Sequence, residues 1–171
     1  FNLQLLLILG VGLKSAIIGL HFWLPIVHSR APSPVSAILS GWVVKLGFIL
    51  LLKTVVTGNI VLFYAGIAMV IYAGIEAIYE TDYKVLLAYS TISQLGYIAI
   101  GIGIGTIYGI TGSVLHIIAH SIAKTGLFIG CGYLVKEYGT RCIYNYKNTW
   151  KKLSFNNISI LIGFASLMGL P

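Results

Sequence analysis

The chain has 171 residues, of which 58% are hydrophobic and only 9% charged, with a net charge of +7 and a mean hydropathy of +0.95. A soluble domain of this size needs more polar surface, so a bilayer is the expected solvent and a soluble globular enzyme is excluded. Nucleic acid is excluded as a partner by where the charge falls: the basic residues outside the apolar runs gather mostly in KEYGTRCIYNYKNTWKK, with no folded soluble face to present them. Apolar residues run on without the alternation of a membrane barrel, which predicts an all-α membrane protein.

About six transmembrane helices are predicted, near 3–26, 34–53, 58–79, 85–105, 108–135 and 155–171. No linker separates them into domains, so 1–171 reads as one transmembrane region. The first span carries Lys14 in its middle, with Gly10 and Gly12 before it and Gly19 after it. Glycines let helices pack closely, but around a buried charge they also predict a broken helix near Lys14, where freed carbonyls meet the ion. Pro25, Pro32 and Pro34 make WLPIVHSRAPSP a tight re-entry with Val27–Ser33 as connector. His21 and His28 flank it, either taking up protons from the inner water or resting at the interface.

The second span holds Lys45 deep inside, while Lys53 stands near a span end and snorkels to the surface. Glu76 closes the third span and is the acid set deepest; Glu80 and Asp82 fall in the connector Glu80–Lys84. A minimal turn near Thr106 leads to the fifth span, which contains His116, His120 and Lys124. Cys131 in that span and Cys142 in the connector Lys136–Ser154 have neither a metal nor a redox spacing. The sequence starts at Phe1 without a signal-peptide pattern, and is expected to be an internal piece of a longer protein.

Alternating connectors put Arg30, Lys84, Lys136, Arg141, Lys147, Lys151 and Lys152 on one side, and Lys53 on the other. That bias predicts the first group to be cytoplasmic, or its organellar equivalent, with Trp150 in an interfacial aromatic belt.

Lys14, Lys45 and Lys124 carry the functional signal. An ammonium near the bilayer centre costs about 2.5–3.5 kcal/mol on insertion scales, so three at mid-depth mark an ion path. His116, His120 and Lys124 follow at i, i+4 and i+8, a ladder on one helix face with a rise of about 6 Å per step. Imidazole titrates near neutrality and a desolvated lysine approaches that range, so such a ladder suits proton relay. A metal site would need a third ligand, and acids are nearly absent from the spans. A catalytic histidine would need a nucleophile in context, which Ser113 and Ser121 lack.

The chain resembles a known family in four segments, in the family's order. GLKSAIIGLHFWLPIVHSRAPSPVSAILSGWVVKLGFILLLK is similar to its signature of a lysine, H-x-W-L-P, A-P-x-P-V-S-A and a second lysine. TDYKVLLAYSTISQLGYI, HIIAHSIAKTGLF and YGTRCI resemble the segments that follow. The family is that of the antiporter-like membrane subunits of NADH:quinone oxidoreductase (complex I), Mrp-type sodium/proton antiporters and membrane-bound hydrogenases. Gly19, Val85 and Cys142 depart from a usual proline, arginine and aspartate, which leaves the subfamily open.

The resemblance implies a larger inverted-repeat bundle, of which this piece is the middle. It also implies a proton relay of Lys14, Lys45, His116, His120 and Lys124, with a glutamate partner upstream and an exit group downstream. The expected function is proton translocation across an energy-transducing membrane, as a non-catalytic subunit with no redox centre, cofactor or metal of its own. The alternative is a structural membrane-arm subunit without its own channel. Expected partners are other membrane subunits, the lipid bilayer, and protons, with sodium as a further candidate ion. The expected location is a bacterial cytoplasmic membrane or a mitochondrial inner membrane.

Overall fold

A computed structural model describes residues 3–53, 58–146 and 154–169. Lys147, Trp150, Lys151 and Lys152 lie outside the described residues. Helix α1 (Leu3–Lys14) and the short α2 (Trp23–Arg30) replace the expected first span. Helix α3 (Ser33–Ile38), a π-helical segment (Leu39–Val43) and α4 (Val44–Lys53) form the second span as one continuous helix. Then follow α5 (Ile60–Tyr79), α6 (Tyr83–Ile104), α7 (Ile107–Tyr138), a 3-10 turn (Ile143–Tyr146) and α8 (Phe155–Leu167). Among the described residues, four helices are long and apolar enough to cross a membrane: 33–53, α5, α6 and α7.

The predicted break is present and opens directly after Lys14. The chain leaves the helix after Lys14 and turns where Ala16 (φ 52°) and Gly19 (φ 86°) take left-handed conformations. Gly19 suits that position, because without a Cβ it adopts positive φ at no steric cost. The carbonyl freed on Leu13 accepts a 2.8 Å bond from the Trp23 indole, so the tryptophan of HFWLP satisfies the end of α1. Pro25 sits in the first turn of α2, where a proline is tolerated. The expected connector of seven residues shrinks to Ala31 and Pro32, because α2 runs to Arg30 and Pro34 lies at the start of α3.

Caps fix the other boundaries. Asn59 accepts from the amides of Val61 and Leu62 and starts α5; Asp82 accepts from those of Lys84 and Val85 and starts α6. Gly105 in a left-handed conformation and Thr106, bonded to Gly109 N, make the predicted turn between α6 and α7.

Helices α5 and α6 pack backbone to backbone, with Gly66 against Gly96 and Gly103 against Phe63. Small residues serve here as they do wherever helices associate in lipid. Gly130 and Gly163 receive Ile160 and Leu127 between α7 and α8. The central core joins Leu24, Val44, Phe48, Met69, Ile92, Leu95 and Ile98. A second cluster of Leu87, Leu127, Phe128, Cys131 and Tyr146 lies toward the loop end.

That loop end supports the alternation inferred from charge. The segment after α7 pairs with the α5–α6 connector through an Asp82–Cys142 bridge, Tyr83 N to Arg141 O (3.0 Å) and Ile143 N to Thr81 O (3.1 Å). Arg141 also donates to Ser29 O near the end of α2, and Lys84 Nζ donates to Ala31 O at 2.7 Å. Three connectors carrying Arg30, Lys84 and Arg141 therefore share one face. Lys84, expected in a solvated connector, is buried in this seam.

Candidate functional site

Among the described residues, Lys45 and Lys124 are the largest polar side chains that are fully buried, 1% and 0% exposed. Among the described residues the ion pair is Arg141 with Asp82 at 4.0 Å, far up in the loops, so neither lysine meets an acid. Backbone carbonyls take that role. Lys45 Nζ donates to Ser40 O (2.7 Å) and Gly41 O (3.0 Å), both inside the π-helical segment on its own helix. A π turn disturbs the regular i→i−4 ladder and is frequent at functional positions. Here it lies one turn before the lysine. Gly41 allows this segment to approach Thr125 on α7, where a Cβ would clash.

Lys124 is held from across the bundle. Its Nζ donates to Leu87 O on α6 (3.0 Å) and to Ser90 Oγ (2.5 Å). A third bond set runs beside it: Thr91 Oγ1 donates to the same Leu87 carbonyl (2.7 Å) and lies 2.9 Å from Ser40 Oγ. Ser40 and Thr91 are both fully buried.

The histidines lie on the same helix as Lys124, one and two turns before it. The rings of His116 and His120 stack with centroids 5.8 Å apart and planes 7° from parallel, as i, i+4 spacing on α7 requires. His120 is 2% exposed and neither ring nitrogen has a protein partner. It lies within electrostatic reach of Lys45, Lys124 and His116, and His116 within reach of Lys45. Only positive or neutral groups face one another here, so charge on one raises the cost of charge on the next.

His28 joins the cluster, and this alignment is not readable from the spans. It is fully buried, stacked on Phe128 at 4.7 Å, without partners on either nitrogen, and within reach of Lys124 and Lys84. His28 therefore connects the Lys124 end to the loop seam. His21 is buried too, at the break, against Tyr72 at 5.1 Å and within reach of the half-buried Glu76. Both histidines are enclosed by protein.

Lys14 is the last residue of α1, and no described side chain covers it. The structure thus brings together Lys45, His116, His120, Lys124 and His28, and leaves Lys14 and His21 at the broken segment. Ser40, Ser90 and Thr91 are not marked in the sequence, since hydroxyl residues in a helix carry no spacing signal. No group of three histidine, cysteine or acidic side chains suited to a metal ion occurs among the described residues.

Comparison with known proteins places the chain in a family. The family described as NADH:quinone oxidoreductase/Mrp antiporter, TM, matches residues 1–171. NADH-quinone oxidoreductase subunit N of Desulforudis audaxviator is 31% identical over 175 residues, covering 96% of this chain and 35% of that protein. One probable K(+)/H(+) antiporter subunit of Rhizobium meliloti is 36% identical, covering 97% of this chain and 17% of its own length. Among solved structures, the archaeal membrane-bound sulfane sulfur reductase has a chain that superposes with a TM-score of 0.86 at 30% identity, covering 96% of this chain and 36% of that one. The chain thus spans about a third or less of these relatives. A match along the whole sequence and a shared fold of apolar helices lead to one conclusion: this chain belongs to the NADH:quinone oxidoreductase/Mrp antiporter transmembrane family.

Proposed function

We propose that the chain forms the middle of a proton path across an energy-transducing membrane, bacterial or mitochondrial, within an antiporter-like protein. The observation that carries this reading is the acid-free cluster of Lys45, His116, His120 and Lys124 between buried helices. A structural role would be served equally well by apolar side chains, and buried charge is weak evidence for stability. Four titratable groups, each in electrostatic reach of at least two of the others, serve transfer instead. A proton arriving on one discourages protonation of its neighbour and pushes charge onward.

His28 is the uptake group of this path, connecting Lys124 with the loop seam on the side rich in lysine and arginine. Lys14 at the broken segment is the site where residues outside this chain meet the path, and His21 beside Glu76 serves that end. Residues 1–171 act as one transmembrane region within a larger multisubunit assembly. The relative named for potassium/proton antiport makes potassium or sodium exchange the accompanying flux to examine.

The test uses the full-length protein in its native complex, in sealed vesicles with a pH-sensitive dye. Lys14→Ala, Lys45→Met and Lys124→Met are each expected to lower proton transport at least about tenfold, equivalent to about 1.4 kcal/mol in the rate-limiting barrier. Assembly on native gels stays normal. Wild-type transport in Lys45→Met and Lys124→Met would overturn the reading in favour of a structural membrane-arm role.

A further inference from the structure

We propose that Ser40 and Thr91 form a hydroxyl strut that couples the states of Lys45 and Lys124, making both of them positioning residues for transport. The inference rests on the proton-path reading above. It starts from the way each lysine is held. Lys45 is anchored on the carbonyl of Ser40, and Lys124 on the carbonyl of Leu87. The two anchors belong to different helices, and the Ser40 and Thr91 hydroxyls tie them together: Ser40 Oγ lies 2.9 Å from Thr91 Oγ1, which donates to Leu87 O at 2.7 Å.

The Leu87 carbonyl is overcommitted. It faces Lys124 Nζ at 3.0 Å, Thr91 Oγ1 at 2.7 Å and Ser90 Oγ at 3.1 Å. A carbonyl oxygen has two lone pairs, so three donors compete for it. A charged Lys124 makes the strongest claim, because hydrogen bonds from an ionised donor exceed neutral ones. Thr91 has a second acceptor within reach in Ser40 Oγ at 2.9 Å, so its hydroxyl is the donor that can turn away, and it then donates to Ser40 Oγ. When Lys124 loses its proton, Thr91 donates to Leu87 again and Ser40 donates to Thr91.

The direction of the Ser40 hydroxyl therefore reports the charge on Lys124. It does so within the residue whose carbonyl anchors Lys45. Ser40, Thr91 and Lys124 are all 0% exposed, so bulk solvent does not screen that dipole reversal. The strut is not itself a proton wire. Carbonyls accept and never donate, so protons pass through the histidines while the hydroxyls set the timing.

The experiment measures proton transport by the full-length protein in its native complex, comparing Thr91→Val, Ser40→Ala, the double variant and Thr91→Ser. Thr91→Val and Ser40→Ala are each expected to lower transport about tenfold, with the double variant no worse than Thr91→Val, because both break one element. Thr91→Ser keeps the hydroxyl and restores transport. The strut is overturned if Thr91→Ser is as slow as Thr91→Val, if the two single losses multiply, or if both single variants transport normally. Should Thr91→Val fail to assemble, Ser40→Ala decides: loss supports the strut and normal transport overturns it. Lys45→Met and Lys124→Met run alongside separate the two claims. Loss in the lysine variants with normal hydroxyl variants removes the strut alone, whereas normal transport in the lysine variants removes the path itself.

Discussion

Replacing Lys124 by methionine separates the cost of the charge from the volume of the side chain. The lysine is 0% exposed and meets no acid, so its ammonium carries an insertion cost of about 2.5–3.5 kcal/mol. Its bonds to Leu87 O and Ser90 Oγ each return about 1.5–3 kcal/mol as hydrogen bonds of a charged group. The two sides nearly cancel. Removing the charge strands no acceptor, because Leu87 O keeps the Thr91 donor and Ser90 Oγ still donates to Leu87 O. Methionine also fills most of the volume. Lys124→Met is therefore expected to stay within about 1–2 kcal/mol of the native stability. Lys124→Ala leaves a cavity beside Leu127 and Phe128 and costs about 2–5 kcal/mol, as large-to-small core changes do. Thermal unfolding of the purified complex ranks the three proteins, and dye-monitored proton uptake in vesicles follows transport. Equal destabilisation by Met and Ala would show that the charge itself supports the fold, and the argument would fail.

Other perturbations read different parts of the structure. His28→Phe keeps the stack on Phe128 and removes two unpartnered nitrogens, so stability is unchanged or raised while proton uptake falls; unaltered uptake would remove His28 from the path. Gly96→Ala places a Cβ 2.7 Å from Gly66 O, and overpacking of a helix pair costs about 1–3 kcal/mol, visible as a lower melting temperature; an unchanged one would contradict the close α5–α6 contact. Burial pushes the Tyr146 phenol up to about 12 from an ordinary 10.0, and its hydroxyl donates to Thr140 O at 2.5 Å. The folded loop then holds its proton more tightly than the unfolded one, so this stabilisation is complete below pH 10.0 and is lost as pH rises toward about 12. Tyr146→Phe abolishes that alkaline loosening, measured by amide exchange across the 3-10 turn; the same exchange profile in both proteins would refute it.

The parts legible in the sequence were those with a cost attached. Lysines in apolar runs had to be sheltered, and glycines around Lys14 announced a break. The break opens directly after Lys14, at Ala16 and Gly19; what the sequence does not mark is how Trp23 closes it by reaching back to Leu13 O, a contact ten residues long. The burial of His28 and Lys84 was hidden for a related reason. Both lie in segments that look like connectors, and only the docking of YGTRCI onto the α2–α3 turn encloses them. The π-helical turn before Lys45 leaves little trace in the sequence beyond Gly41, which faces Thr125 where 39–43 packs on α7.

The short second helix also bears on how such a chain enters a membrane. Eight residues of α2 reach about 12 Å, well short of a hydrocarbon core of about 30 Å. With the polar break on one side and a two-residue turn on the other, α2 is no sufficient insertion signal by itself. During biogenesis the insertion machinery must therefore accept it together with the helices that flank it. The break that suits an ion in the finished protein thus makes the order of helix arrival a part of folding.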